Sequence, residues 1–144
     1  MEPKEYTAWD PKYLLNIKKL DNEHKEIINF INDALKHCNG NREEEIKYFN
    51  TRIQIILKYI AKHFSAEEEM MEKTNFPHYE EHKAEHGKIF ISVVKIMTEI
   101  EMGKREIDLL GFMQYIRKWC LEHILTHDKG GVEYFKKWEE QNGK

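Results

Sequence analysis

Four stretches of this chain repeat apolar residues at steps of three and four, and each stripe also carries histidine at a position meant for hydrocarbon. A 3.6-residue period marks helices that bury one face. The first stripe runs Leu20, His24, Ile27, Ile31, Leu35 and Cys38, and stops at the turn signal Asn39-Gly40-Asn41. The second runs Ile46, Phe49, Ile53, Ile56, Ile60, His63, Glu67 and Met70, and stops before Pro77. The third holds His82, His86, Ile89, Val93, Ile96 and Ile100, and ends near Gly103. The fourth holds Leu109, Phe112, Ile116, Trp119 and His123, and ends near Gly130-Gly131. Short links make consecutive helices antiparallel neighbours. The pattern therefore predicts an all-α, up-down-up-down four-helix bundle within a single domain, 1–144. Its helices are expected at about 19–38, 42–73, 78–102 and 106–128, with a short closing helix at 131–139. Residues 1–18, with Tyr6, Trp9 and Tyr13, lack a period and read as an extended arm covering the bundle.

Composition narrows the function classes. The chain is 34% charged with a net charge of -3, both signs mixed, which argues against a nucleic-acid surface. No apolar run is long enough to span a bilayer, and the first residues lack the apolar core of a signal peptide, so a cytoplasmic protein is expected. Outer faces rich in Lys and Glu favour a monomer. Cys38 and Cys120 fall on apolar positions and read as buried thiols.

The stripes place His24, His63, Glu67, His82, His86 and His123 in the core. A buried polar group without a partner costs about 1–3 kcal/mol, and a buried charge costs more. A cation resolves this, because it accepts imidazole lone pairs and neutralises carboxylates together. His63 and Glu67 are four apart, as are His82 and His86, so each pair shares a helix face. His24 lies early in its helix, His63 late, His82 early and His123 late; in alternating helices these levels coincide.

The fourth helix leaves a choice. His127, four residues after His123, shares its face in a regular helix, whereas Asp128 is five on and roughly 140° away. Regular geometry prefers His127; a π-bulge would bring Asp128 round instead. Many histidines and few carboxylates suit iron, zinc, copper or nickel better than magnesium or calcium. Seven candidates exceed what one ion needs, so two ions are expected. The chain has neither Glu-x-x-His, the mark of ferritin-like di-iron bundles, nor His-Glu-x-x-His, the mark of zinc proteases.

In these residues the chain resembles the hemerythrin family. The marks are Trp9, Leu20 to Lys25 around His24, His63-Phe64-Ser65-Ala66-Glu67-Glu68, Phe76-Pro77-His78-Tyr79-Glu80-Glu81-His82, His86, Trp119, His123-Ile124 and Asp128. One departure is Glu23, where the family usually has Gln. The resemblance implies two non-haem iron ions. His82, His86 and His123 would fill one; His24 and His63 would hold the other and leave a position open. Glu67 and Asp128 would bridge them together with an oxo or hydroxo group, so the resemblance selects Asp128 over His127. It further implies reversible dioxygen binding, for storage, delivery or sensing, rather than an enzyme activity. A di-iron peroxidase, oxidase or nitric-oxide-handling enzyme and an iron reservoir are the alternatives. Sensing would call on a separate, unidentified protein partner.

Ile27, Phe64 and Leu121 adjoin these positions and are expected to line a dry oxygen pocket. His37, His78 and His127 read as surface, capping or flanking groups. Asp21, Glu68, Glu81 and Glu85 are near enough in sequence to accept from the outer N–H groups of the imidazoles, although most of them read as solvated charges.

Overall fold

A computed structural model of the chain describes residues 9–142, so Tyr6 of the expected arm lies outside the described residues. Among them are five α-helices and no strand. The helices are α1 (Lys18–Lys36), α2 (Arg42–Lys73), α3 (Tyr79–Glu101), α4 (Leu109–His123) and α5 (Val132–Asn142). No described helix is long and apolar enough to cross a membrane.

Local chemistry fixes most of these limits. Asn41 caps α2 by accepting from the Glu44 N–H at 3.1 Å, and Glu43, Glu44 and Glu45 complement the helix dipole. Asp108 does the same for α4, accepting from the Gly111 N–H at 3.0 Å. That cap starts the helix at Leu109, where its apolar stripe begins, rather than at the expected 106. No side chain of its own caps α1; instead Glu139 of α5 accepts from the Lys18 N–H at 3.0 Å, which ties the last helix to the first.

The arm is only partly extended. Asp10 caps a 3-10 turn at Pro11–Tyr13, and Tyr13, Leu15 and Ile17 are then buried. Asp21, also buried, accepts from the Leu15 N–H at 2.8 Å and fastens the arm to α1.

One large apolar cluster fills the half of the bundle away from the arm, built on Ile31, Leu35, Phe49, Ile53, Ile56, Leu109, Phe112 and Ile116. A second, of Leu15, Ile17, Leu20, Met70, Met71 and Phe135, closes the opposite end. Between α3 and α4 lies a surface hollow of about 580 Å³. Ile96 and Ile100 line it and so are only half-buried, although the apolar stripe of α3 places them in the core.

Candidate metal centre

Between the two apolar clusters the core turns polar. His24, His63, Glu67, His82, His86, His123 and Asp128 are each at most 5% exposed. α1 brings in His24, α2 His63 and Glu67, α3 His82 and His86, and α4 His123. Asp128 arrives differently. After His123 the helix loosens into a π-turn, Ile124–Asp128, in which the Lys129 N–H bonds back to the Ile124 carbonyl. The wider turn swings Asp128 inward.

The regular-helix expectation for His127 fails for this reason. The His127 side chain is exposed and its ring lies 5.0 Å from that of His123, nearly parallel, on the surface side of the turn. Trp119, four residues before His123, also stacks on it, 4.6 Å away and 10° from parallel. Tilting and translation of the His123 ring are thus restricted.

The inward atoms form two groups that share both carboxylates. Glu67 Oε2 lies 2.9 Å from His63 Nε2 and 3.3 Å from His24 Nε2, while Oε1 lies 3.1 Å from His86 Nε2 and 3.2 Å from His82 Nε2. Asp128 divides likewise: Oδ2 is 3.1 Å from His24 Nε2, and Oδ1 is 3.2 Å from His82 Nε2 and 3.1 Å from His123 Nε2. His24, His63, Glu67 and Asp128 could hold one cation; Glu67, His82, His86, His123 and Asp128 could hold another.

Two details test whether cations fit. Both Asp128 oxygens are buried and close to imidazole nitrogens, yet neither makes a hydrogen bond of sound geometry. His86 Nε2 and His123 Nε2 face each other at 3.0 Å, an arrangement suited to two lone pairs converging on one ion. Nitrogen and carboxylate donors in this ratio match a borderline transition metal.

The protonation of the bare cluster follows from its packing. Burial works against the charge on His63, but Glu67 and Glu23 outweigh it and raise the imidazole to about 10. Burial opposes His82 too, and the adjacent carboxylates of Asp128 and Glu67 raise it to about 9. Burial alone would raise Glu67 and Asp128, yet the imidazoles around them hold both carboxyls below their usual range. Without cations, protons on the histidines do the neutralising.

The surroundings are mostly apolar. Phe64 lies flat on His86, 3.8 Å between centroids and 3° from parallel. Ile27 and Phe64 belong to the large cluster, whereas Leu121 packs with Tyr13, Ile28 and Ile124 beneath the arm. Burial pushes the Cys120 thiol up to about 12, helped by the nearby carboxylates Asp128 and Glu67, so it stays protonated.

Of the acids expected behind the imidazoles, only Glu68 reaches one of these rings, its Oε2 lying 2.9 Å from His86 Nδ1. Asp21 fastens the arm, Glu81 meets the exposed His78, and Glu85 pairs with Lys88. Glu23, absent from that expectation, sits 2.7 Å from His63 Nδ1. The contact joins α1 to α2, and no spacing within one helix announces it.

Residues 15–130 match the family model described as the hemerythrin HHE cation binding domain. A bacteriohemerythrin of Methylococcus capsulatus is 27% identical over 115 residues, covering 79% of this chain and 84% of the relative. A myohemerythrin of Sipunculus nudus is 27% identical over 121 residues, covering 84% and 87%. The crystal structure of a wild-type hemerythrin superposes with a TM-score of 0.76 at 25% identity, covering 91% of this chain and 98% of that one.

Proposed function

Because the chain belongs to the hemerythrin family, we propose that its polar core holds two iron ions and binds dioxygen reversibly. The carrying observation is the division of the carboxylates: each sends one oxygen to the His24 side and the other to the His82 side. Such carboxylates are placed to bridge two ions.

The imidazoles divide three to two. In this reading His82, His86 and His123 serve one ion, and His24 and His63 serve the other. With Glu67 and Asp128 shared and an oxo or hydroxo group between the ions, the first ion would have one protein ligand more than the second. The less fully liganded ion would be the dioxygen site, and a ferrous pair, when bound, would supply the electrons for that binding.

The chain's own side chains do the rest. Glu67 and Asp128 fix the spacing of the ions and cancel part of their charge. Phe64 keeps His86 in plane, and Trp119 does so for His123. Ile27, Phe64 and Leu121, all buried, are the proposed barrier to water, which slows loss of electrons to solvent-assisted oxidation. A donor set of five imidazoles and only two carboxylates favours a carrier over an oxidase or peroxidase.

The test is direct. Iron is counted per chain, the protein is reduced without air, oxygen is admitted, and the visible spectrum is followed. Two irons and a charge-transfer band that appears with oxygen and fades under vacuum support the reading. Irreversible oxidation accompanied by turnover of an added reductant would replace it with an enzyme.

A further inference from the structure

Two carboxylates stand outside the ring of inward donors, each pressed against the back of one histidine. Glu23 Oε1 lies 2.7 Å from His63 Nδ1, and the other oxygen of Glu23 is pinned by Lys19 Nζ at 3.2 Å. Glu68 Oε2 lies 2.9 Å from His86 Nδ1. The two arrangements are built alike. Glu23 adjoins His24 and reaches from α1 to α2; Glu68 adjoins Glu67 and reaches from α2 to α3. Each acid is near the surface, 17% exposed for Glu23 and 21% for Glu68, while the histidine it backs is 2–3% exposed.

His63 and His86 fall in different groups of inward donors. Other rings lack such support: the outer nitrogens of His24 and His123 are buried without a hydrogen-bond partner. So each ion position contains one imidazole backed by an anion beside at least one that is not.

An imidazole that donates Nδ1–H to a carboxylate is locked in one tautomer, with the Nε2 lone pair facing the ion, and becomes a stronger donor. The acceptor's charge shortens and strengthens that bond. We propose that Glu23 and Glu68 are positioning residues that set the two ion affinities separately: Glu23, through His63, for the ion on the His24 side, and Glu68, through His86, for the ion on the His82 side. This rests on the two-ion reading above. Glu67 and Asp128 are shared and couple the ions; the outer acids are not shared and leave each site its own adjustment.

The experiment uses the full chain, stripped with a chelator and titrated with zinc alone against a competing chromophoric chelator. Wild type is expected to bind two ions. Glu23→Gln keeps the shape and an acceptor but removes the charge, and should weaken one dissociation constant by about 10–100-fold while leaving the other within threefold. Glu68→Gln should weaken the other constant to a similar degree. In the zinc-loaded protein the Nδ1–H proton of His63 should move upfield only in Glu23→Gln, and that of His86 only in Glu68→Gln, which a general loss of packing would not produce. The proposal is overturned if Glu23→Gln leaves both constants within twofold, or if both variants weaken the same constant. A wild-type chain that takes up neither zinc nor iron would instead bring down the two-ion reading itself, before any variant is made.

Discussion

Ile53 and Glu67 sit on the same helix, and each has 0% of its surface exposed. Ile53 is surrounded by hydrocarbon and gains stability simply by leaving water. Glu67 is surrounded by four imidazoles and gains nothing from burial unless its charge is met. The half of the bundle around Ile53 is forgiving: α3 and α4 leave a hollow of about 580 Å³ on its flank. The half around Glu67 is not, because moving any one donor leaves another buried polar atom unsatisfied. One half therefore rests on hydrocarbon packing alone, and the other on having its buried charges met, by protons on the histidines or by cations.

The sharpest way to break this contrast is Glu67→Ala. Because Glu67 faces both groups, ion content should fall from two per chain to none, measured as iron after reconstitution. A variant that still holds one ion firmly would show that Glu67 serves one group only. Ile53→Ala is the matching change in the other half. It should cost about 2–5 kcal/mol of unfolding free energy, as large-to-small changes in packed cores do. The cost should be nearly the same in stripped and ion-loaded protein, with two ions still bound. A loss of ions in Ile53→Ala, by elemental analysis, would show that the apolar half shapes the polar one.

The two halves also differed in how openly the sequence displayed them. The apolar half was readable by period, because Ile53, Ile56 and Ile60 can face only one way on a helix. The six core donors from His24 to His123 were readable by the same rule, since each occupies a place where hydrocarbon belongs. The rule fails where the backbone departs from the regular helix. Between His123 and Asp128 the π-turn changes which residue points inward, and spacing favoured His127. Resemblance to a family pointed to Asp128, which the turn brings to the cluster. The contact of Glu23 with His63 is hidden for a different reason: the two lie 40 residues apart on different helices, and no periodicity encodes it. Ile96 and Ile100 pack against the core yet stay half-buried, because a stripe shows which face is apolar, not how closely the next helix approaches it.

The smallest effect belongs to the residue that spacing preferred. His127 is exposed and touches the centre by stacking on His123 at 5.0 Å and by an edge contact with His82 at 6.2 Å. Ring pairs of this kind contribute about 0.5–1.5 kcal/mol beyond burial, and solvent exposure places this one at the low end. His127→Ala should therefore lower stability by less than about 1 kcal/mol and leave two ions in place. Asp128→Ala, one residue on, should release at least one ion, since both of its oxygens face the donor groups. Measured side by side as metal per chain, the pair reads the register of the π-turn in solution. Loss of metal in His127→Ala, with retention in Asp128→Ala, would mean that the helix runs on regularly past His123 and that the seventh donor is the imidazole.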